Sequence, residues 1–205
     1  AGDAIFEDVN NDGQLDSKDM KFMGYIRPDK VGGIVNSFKY KGLTVRVVMD
    51  WAMGHVIDNG FKGQIMGSSR NNNNAIKDAM TNSWQSANDG TKYPKYTVQS
   101  DYDYQYRNHM RWDNQIGSSE SGSTNNSLYF SKGDYLAFRE VSLSYMLPST
   151  WVRKIRLSGV EVFAGAYNIG YIKKYDGMFP EIYTGVDYGV YPRPRQYNMG
   201  VKINF

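Results

Sequence analysis

At 205 residues the chain is long enough for one ordinary domain, and its lack of cysteine excludes disulfides and thiolate metal sites. A formal net charge of +3 is too small to argue for a nucleic-acid partner, and no run of about 18 apolar residues exists to form a transmembrane helix. The mean hydropathy of −0.59 would ordinarily describe a soluble protein. A transmembrane β-barrel gives the same value, because only every second residue of each strand faces lipid and its loops are polar.

The chain opens at Ala1 without a charged-then-apolar leader, and its start reads as lying within a loop. The first informative stretch runs from Asp8 to Asp19, with oxygen-bearing side chains at loop positions 1, 3, 5, 9 and 12, a glycine at 6 and an apolar residue at 8. A hard cation such as Ca2+ needs six to eight oxygens, and Gly13 permits the sharp turn that converges them. Asp8, Asn10, Asp12 and Asp19 are expected to ligate through side chains, Gln14 through its carbonyl, and Asp16 directly or through water. Position 12 is Asp and no clear helix flanks the loop, so it is dockerin-like and its calcium role structural. The competing reading is an Asx/Gly turn cluster that holds no ion.

Strand signals begin after Pro28. Gly33 to Tyr40 places Ile34, Phe38 and Tyr40 on one face, and Lys41-Gly42 makes a tight turn. Leu43 to Met53 then alternates cleanly: Leu43, Val45, Val47, Met49, Trp51 and Met53 share one face, Arg46 and Asp50 the other. A tilted strand of roughly 9–11 residues crosses a bilayer's hydrocarbon core, so this hairpin has transmembrane length.

From Gly54 to about Ser127 the alternation stops, the mark of a functional loop. Within it, Ala75 to Ala87 repeats apolar residues at helical spacing, with Asn74 as N-cap. Tyr93, Tyr96, Tyr102, Tyr104, Tyr106 and Trp112 follow, mixed with Asp101, Asp103, Arg107 and Arg111. Such aromatics suit sugar or peptide binding, but packing the loop or covering a partner is their commoner use. His55 and His109 stand isolated, and neither Gly-x-Ser-x-Gly nor His-Glu-x-x-His occurs, so no enzyme is expected.

Tyr135 to Leu147 is the next strand, with Val141, Leu143, Tyr145 and Leu147 on one face and Glu140, Ser142 and Ser144 on the other. Leu136 and Phe138 fall on the wrong face, which requires either that the upper strand leaves the membrane or that it bulges. A short connection rich in Lys and Arg starts at Pro148. Val160 to Gly170 is the fourth strand, of undecided facing, and Tyr171 to Arg195 is a second long loop whose Pro180, Pro192 and Pro194 forbid ladder hydrogen bonds. The last ten residues alternate Tyr197, Met199, Val201, Ile203 and Phe205 against Asn198, Gly200, Lys202 and Asn204. Five strands with short turns on one side and long loops on the other have the asymmetry of an outer-membrane barrel, and five cannot close one.

The calcium-type loop, "YKG" at 40–42, "KGDYLAFREVSLSYMLP" at 132–148, "AYNIGYIKKYDGMFPEI" at 166–182 and "DYGVYPRPRQYNMGVKINF" at 187–205 together resemble the C-terminal end of SusC-like TonB-dependent transporters of Bacteroidetes. The likeness covers nearly the whole chain and is strongest at its two ends. It implies an all-β fold: the last strands, about five, of a transmembrane barrel of about 22. It further implies an outer-membrane location and import of a glycan oligomer or oligopeptide beneath a SusD-like surface lipoprotein. Energy would come from the TonB complex, acting through an N-terminal plug that is not in this chain. On this pattern residues 1–31 form an extracellular loop with the calcium motif and 32–53 a transmembrane hairpin. Residues 54–132 form a long extracellular loop, and 133–205 the last three strands, with extracellular loop 171–195. The rival expectation is a soluble, secreted, calcium-stabilised β-sandwich carbohydrate-binding module. Substrate-contacting residues are not legible.

Overall fold

The computed structural model describes residues 2, 5–14, 17–66, 76–87, 90–91, 93–95 and 127–205. The expected Asn74 cap and the loop residues Tyr96, Asp101, Tyr102, Asp103, Tyr104, Tyr106, Arg107, His109, Arg111 and Trp112 lie outside them, as does Asp16. The strands are β1 (Lys30–Tyr40), β2 (Leu43–Met53), β3 (Val56–Asp58), β4 (Phe130–Lys132), β5 (Tyr135–Met146), β6 (Gly159–Lys173) and β7 (Gln196–Asn204). The helices are α1 (Gly60–Met66), α2 (Lys77–Thr81) and α3 (Ser149–Val152). No helix among the described residues is long and apolar enough to cross a membrane.

The chain divides into two compact units. One comprises Arg27–His55, Lys132–Glu181 and Tyr191–Phe205. It is a five-stranded antiparallel sheet in the order β1-β2-β5-β6-β7, as the sequence pattern requires. The hairpin between β1 and β2 turns on Lys41 (φ 44°) and Gly42 (φ 87°), both in the left-handed region, which is the two-residue turn whose twist matches its flanking strands. β5 and β6 are joined by α3 and a short 3-10 turn, Arg153–Ile155.

Register assigns the faces. Val45 pairs with Phe38 and Leu143, Leu143 with Ala164, and Ala164 with Met199, so the apolar residues of all five strands share one face. Along β2, adjacent Val48 and Met49 face Glu140 and Phe138, leaving Arg139 unpaired. This is the bulge that the misplaced Leu136 and Phe138 demanded: one extra residue restores both to the face of Val141 and Leu143. On the other side, Asn168 and Ile169 of β6 stand against Arg139, with Asn168 at φ 51°. The facing of the fourth strand is thereby settled, with Val162, Ala164 and Ala166 on the apolar side.

That strand runs to Lys173, three residues beyond the expected Gly170, so the loop begins later than Tyr171. Ladder bonding carries it on: Tyr171, Ile172 and Lys173 pair with Ala137, Leu136 and Tyr135. β1 likewise starts at Lys30, ahead of the expected Gly33.

The second unit comprises Ala1–Ile26, Val56–Ser131 and Ile182–Val190. It holds the two short strands β3 and β4, and a core of Ala79, Tyr93 and Tyr129 with Ile76 packed on it. α2 is five residues long and starts after Ile76, well short of the helix expected over 75–87. The reason is local competition. Trp84 N–H donates to the Tyr93 carbonyl at 2.9 Å and Tyr93 N–H to the Asn82 carbonyl at 3.1 Å, an extended pairing that ends the helix at Asn82. A second helix, α1, occupies a stretch read as irregular. Residues 182–190 are stitched into this unit: Asp58 N–H donates to Gly185 O at 2.9 Å, Asp187 N–H to Asp58 O at 2.8 Å, and Phe61 N–H to Asp187 O at 2.8 Å.

Candidate functional site

The polar face of the sheet carries the charges. Arg46 lies 3.3 Å from Glu140, whose other partner is the Ser142 hydroxyl, donating at 2.8 Å. Above them the bulge turns Arg139 to the same face. Its guanidinium holds Asp50 through two bonds of 2.8 and 2.9 Å, and donates to Glu181 Oε1 at 2.5 Å. Bidentate binding of a carboxylate by a planar fork is the strongest ion-pair geometry available to side chains.

Glu181 is the centre of this network. Its side chain is 1 % exposed, yet it accepts from Arg139 and from the Tyr171 hydroxyl at 2.6 Å, and Arg193 lies 3.1 Å from its other oxygen. Burial pushes the Glu181 carboxyl up. The bonds from Arg139 and Tyr171, with the charges of Arg139 and Arg193, outweigh burial and hold it below the usual carboxylate range. Aromatic rings surround the pair: Tyr171 meets Tyr135 and Phe179 edge-on, at 5.9 and 5.8 Å between centroids. The loop segment ending at Glu181 is thus fastened onto the polar face of β2, β5 and β6. The sequence hid this site, because its members are separated by 42 and 89 positions. The one visible signal was the broken alternation around Arg139.

A second polar cluster lies where β2 ends and β5 begins. Gly54 N–H donates to Asp134 Oδ1 at 2.8 Å, Lys174 donates to Asp134 Oδ2 at 3.0 Å, and Gly133 N–H donates to His55 O at 2.8 Å. A side chain at Gly133 would run into the His55 imidazole. His55 is 6 % exposed, and its Nδ1 has no hydrogen-bond partner among the described residues. Burial lowers its pKa, with the Asp134 charge opposing.

The calcium-type loop folds as an Asx cage. Asp12 N–H donates to Asn10 Oδ1 at 2.9 Å and to Asp8 Oδ1 at 3.3 Å, Gly13 N–H to Asp8 Oδ2 at 2.8 Å, and Gln14 N–H to Asp12 Oδ1 at 2.9 Å. Gly13 takes φ 77°, the glycine-favoring turn the spacing asked for. A 3-10 turn, Ser17–Asp19, returns Asp19 to the loop, where it accepts from Val9 N–H at 2.9 Å. Asp8, Asn10, Asp12, Gln14 and Asp19 therefore share one turn, and Asp16 lies outside the described residues. The donors are all oxygens, which suits a hard cation. Among the described residues, however, no three carboxylate or imidazole side chains converge closely enough to hold a metal, and Lys18 Nζ sits 3.8 Å from Asp12.

No family model matches the chain. Over its whole length it is 25% identical to TonB-dependent receptor P3 of Formosa agariphila, covering 19% of that protein, and 24% identical to receptor P39 of the same organism, again covering 19%. TonB-dependent receptor SusC of Bacteroides thetaiotaomicron is 26% identical over 44% of the chain and 9% of its own length. The chain thus spans about a fifth of the full-length curated relatives it matches. Among solved structures, the RagAB peptide importer in its closed-closed state matches 95% of the chain and 20% of its own at a TM-score of 0.66 and 21% identity. The RagAB peptide transporter matches the same shares at 0.65. That likeness establishes the fold as barrel wall. With similarity to the receptors along its whole length and a five-stranded antiparallel sheet of barrel-wall fold, the chain is similar to a C-terminal segment of SusC-like TonB-dependent receptors.

Proposed function

We propose that this segment forms part of the wall of an outer-membrane barrel that imports an oligosaccharide or oligopeptide, driven by TonB and covered outside by a SusD-like lipoprotein. The carrying observation is the register. A single apolar face runs from Ile34 and Phe38 through Val45, Val47, Leu143 and Val162 to Met199, Val201 and Ile203, with Asn36 of β1 a polar residue within it. Ile34, Phe38, Leu143, Val162, Met199, Val201 and Ile203 are left exposed, and Val45 and Val47 half-buried, which only a hydrocarbon surrounding would make favourable at this extent. The sandwich alternative needs a second sheet over that face. Among the described residues the only other sheet is β3 with β4, three residues each.

On this reading Arg46, Glu140, Arg139 and Asp50 face the barrel interior, and the network around Glu181 fixes segment 174–181 and Arg193 to the inner wall. The loop at 8–19 holds Ca2+ in a structural role; its oxygen-only donor set and the turn at Gly13 support this, with Lys18 displaced as the ion enters. In the full transporter, Val47→Arg places a cation at mid-strand on the lipid face, worth roughly 2–4 kcal/mol against insertion at the bilayer midplane. The expected result is loss of heat-modifiable barrel from the outer membrane, while Ser142→Arg on the opposite face still assembles. Normal assembly of Val47→Arg would refute the face assignment.

A further inference from the structure

The short-connection end of the sheet carries a feature that lipid exposure of the strands does not explain. The link between β5 and β6 is a built surface. Trp151 N–H donates to Pro148 O at 3.0 Å, Arg156 N–H to Arg153 O at 3.1 Å, and Leu157 N–H to Val152 O at 3.3 Å. Val152, 2 % exposed, pins the turn from within. Pinned this way, Trp151 and Ile155 project outward at 62 and 64 % exposure, one helical turn apart. Arg153, Lys154 and Arg156 are exposed between and beside them. At the same end Lys41 lies 5.3 Å over the Tyr40 ring, on the turn whose Gly42 carbonyl accepts from Met146 N–H at 2.8 Å. No Asp or Glu occurs among residues 40–44 or 146–160, so four cations stand here without an acidic neighbour in either connection.

We propose that this end of the wall is a docking surface for anionic phospholipid headgroups of the membrane leaflet in which the short connections lie. The occupant is chosen by charge and by continuity. Tyr145 and Val162, exposed on the apolar face, stand near the strand ends that the turn carrying Trp151 and Ile155 joins, and the cations lie on that same turn, which the outer-membrane reading puts at headgroup depth. An amphipathic indole at that depth places its ring among acyl chains and its N–H among headgroups. Arg and Lys beyond it meet phosphates, Arg by paired hydrogen bonds. A soluble acidic partner would not need the two projecting apolar side chains, and a neutral membrane would not need the cations. The inference rests on the outer-membrane reading above, and it adds lipid selectivity to it.

The test uses the full-length transporter, extracted in mild detergent and placed in nanodiscs of phosphatidylethanolamine with a minor fraction of phosphatidylglycerol. Retained lipid is measured by mass spectrometry after delipidation. Phosphatidylglycerol is expected to be retained preferentially, and the triple variant R153Q/K154Q/R156Q to lower its affinity. Near an anionic surface each basic side chain contributes about fivefold, so the three together give roughly a hundredfold. Trp151→Ala should weaken retention of both lipids while keeping the preference. R153K/R156K keeps the charges and should keep the preference, which separates charge loss from misfolding. Equal retention of both lipids by the wild type, an unchanged preference in the triple variant, or complete displacement of phosphatidylglycerol by millimolar inorganic phosphate would each overturn the proposal. Heat-modifiability on gels reports the barrel itself. A transporter absent from the outer membrane defeats the functional reading, whereas an assembled barrel without lipid preference defeats only this inference.

Discussion

Replacing Arg139 by Met tests the network that fastens the second long loop. The change removes the bidentate partner of Asp50 and the 2.5 Å donor to Glu181, but leaves Tyr171 at 2.6 Å and Arg193 at 3.1 Å from the Glu181 carboxylate. Stranding one member of a buried pair costs about 3–5 kcal/mol. Because Arg193 still neutralises Glu181 and Asp50 is partly open to solvent, the lower end applies, about 3 kcal/mol. If that cost falls on opening of the segment 174–181, the open population rises roughly 150-fold, since about 1.4 kcal/mol is a factor of ten. Limited proteolysis of the full transporter reads this directly: where reclosing outpaces cleavage, the rate follows the open population. Cleavage within 174–181 should therefore accelerate by about two orders of magnitude, with cleavage in 182–190, which backbone bonds hold separately, unchanged. A double-mutant cycle with Glu181→Gln should show strong coupling, because the two residues share one network. A loop cut at the wild-type rate in Arg139→Met, or additive behaviour in the cycle, would refute the fastening role.

Three further outcomes follow from the described contacts. Gly42→Val forces a β-branched residue into φ 87° and sets its Cβ 2.7 Å from the Met146 carbonyl, so barrel assembly yield should fall markedly, by a cost of about 1–3 kcal/mol; unimpaired yield would contradict the turn assignment. His55 has a depressed pKa, so its contribution to stability is complete above the unfolded value of 6.5 and is lost as pH falls through the lower folded value. The protection of the Gly133 amide, its exchange rate corrected for the intrinsic pH dependence, should therefore fall on acidification below about pH 6.5 in the wild type and less so in His55→Phe; identical pH dependence of protection would remove His55 as the cause. Asp8→Ala with Asp12→Ala should abolish calcium bound by the transporter, detected by elemental analysis after dialysis, and equal calcium content in the variant would defeat the ligand set.

The hairpin of β1 and β2 was legible from the period of two in β2 and the Lys41-Gly42 turn before it, and the closing strand β7 from its period of two alone. Those segments need no information from elsewhere in the chain. The facing of β6 was not legible, since Val162, Ala164 and Ala166 offer as little contrast with Phe163 and Tyr167 as two mixed faces can. Only pairing with Leu143 and Met199 decides it. α2 was overestimated because apolar spacing at Ala79, Met80, Ser83 and Trp84 satisfies a helix as well as a turn, and the bridge from Ser83 to Tyr93 won. The sharp turn at Gly13 was legible in the Asx and Gly spacing at 8–19, being local chemistry. The Glu181 network joins a bulge, two further strands and one loop, which no local window contains.

The unpaired Arg139 sets a rule of parity for sequence change in this wall. One residue inserted or deleted in β5 between Tyr135 and Arg139 would exchange the surroundings of Leu136 and Phe138 with those of Tyr135 and Ala137, unless a compensating one-residue change removed the bulge itself. Length variation in this stretch should therefore occur in even steps, or in odd steps coupled to loss of the arginine. The same arithmetic leaves the segment between Lys173 and Glu181 free of the parity rule, since its far end is held at Glu181 by side-chain bonds and not by a ladder.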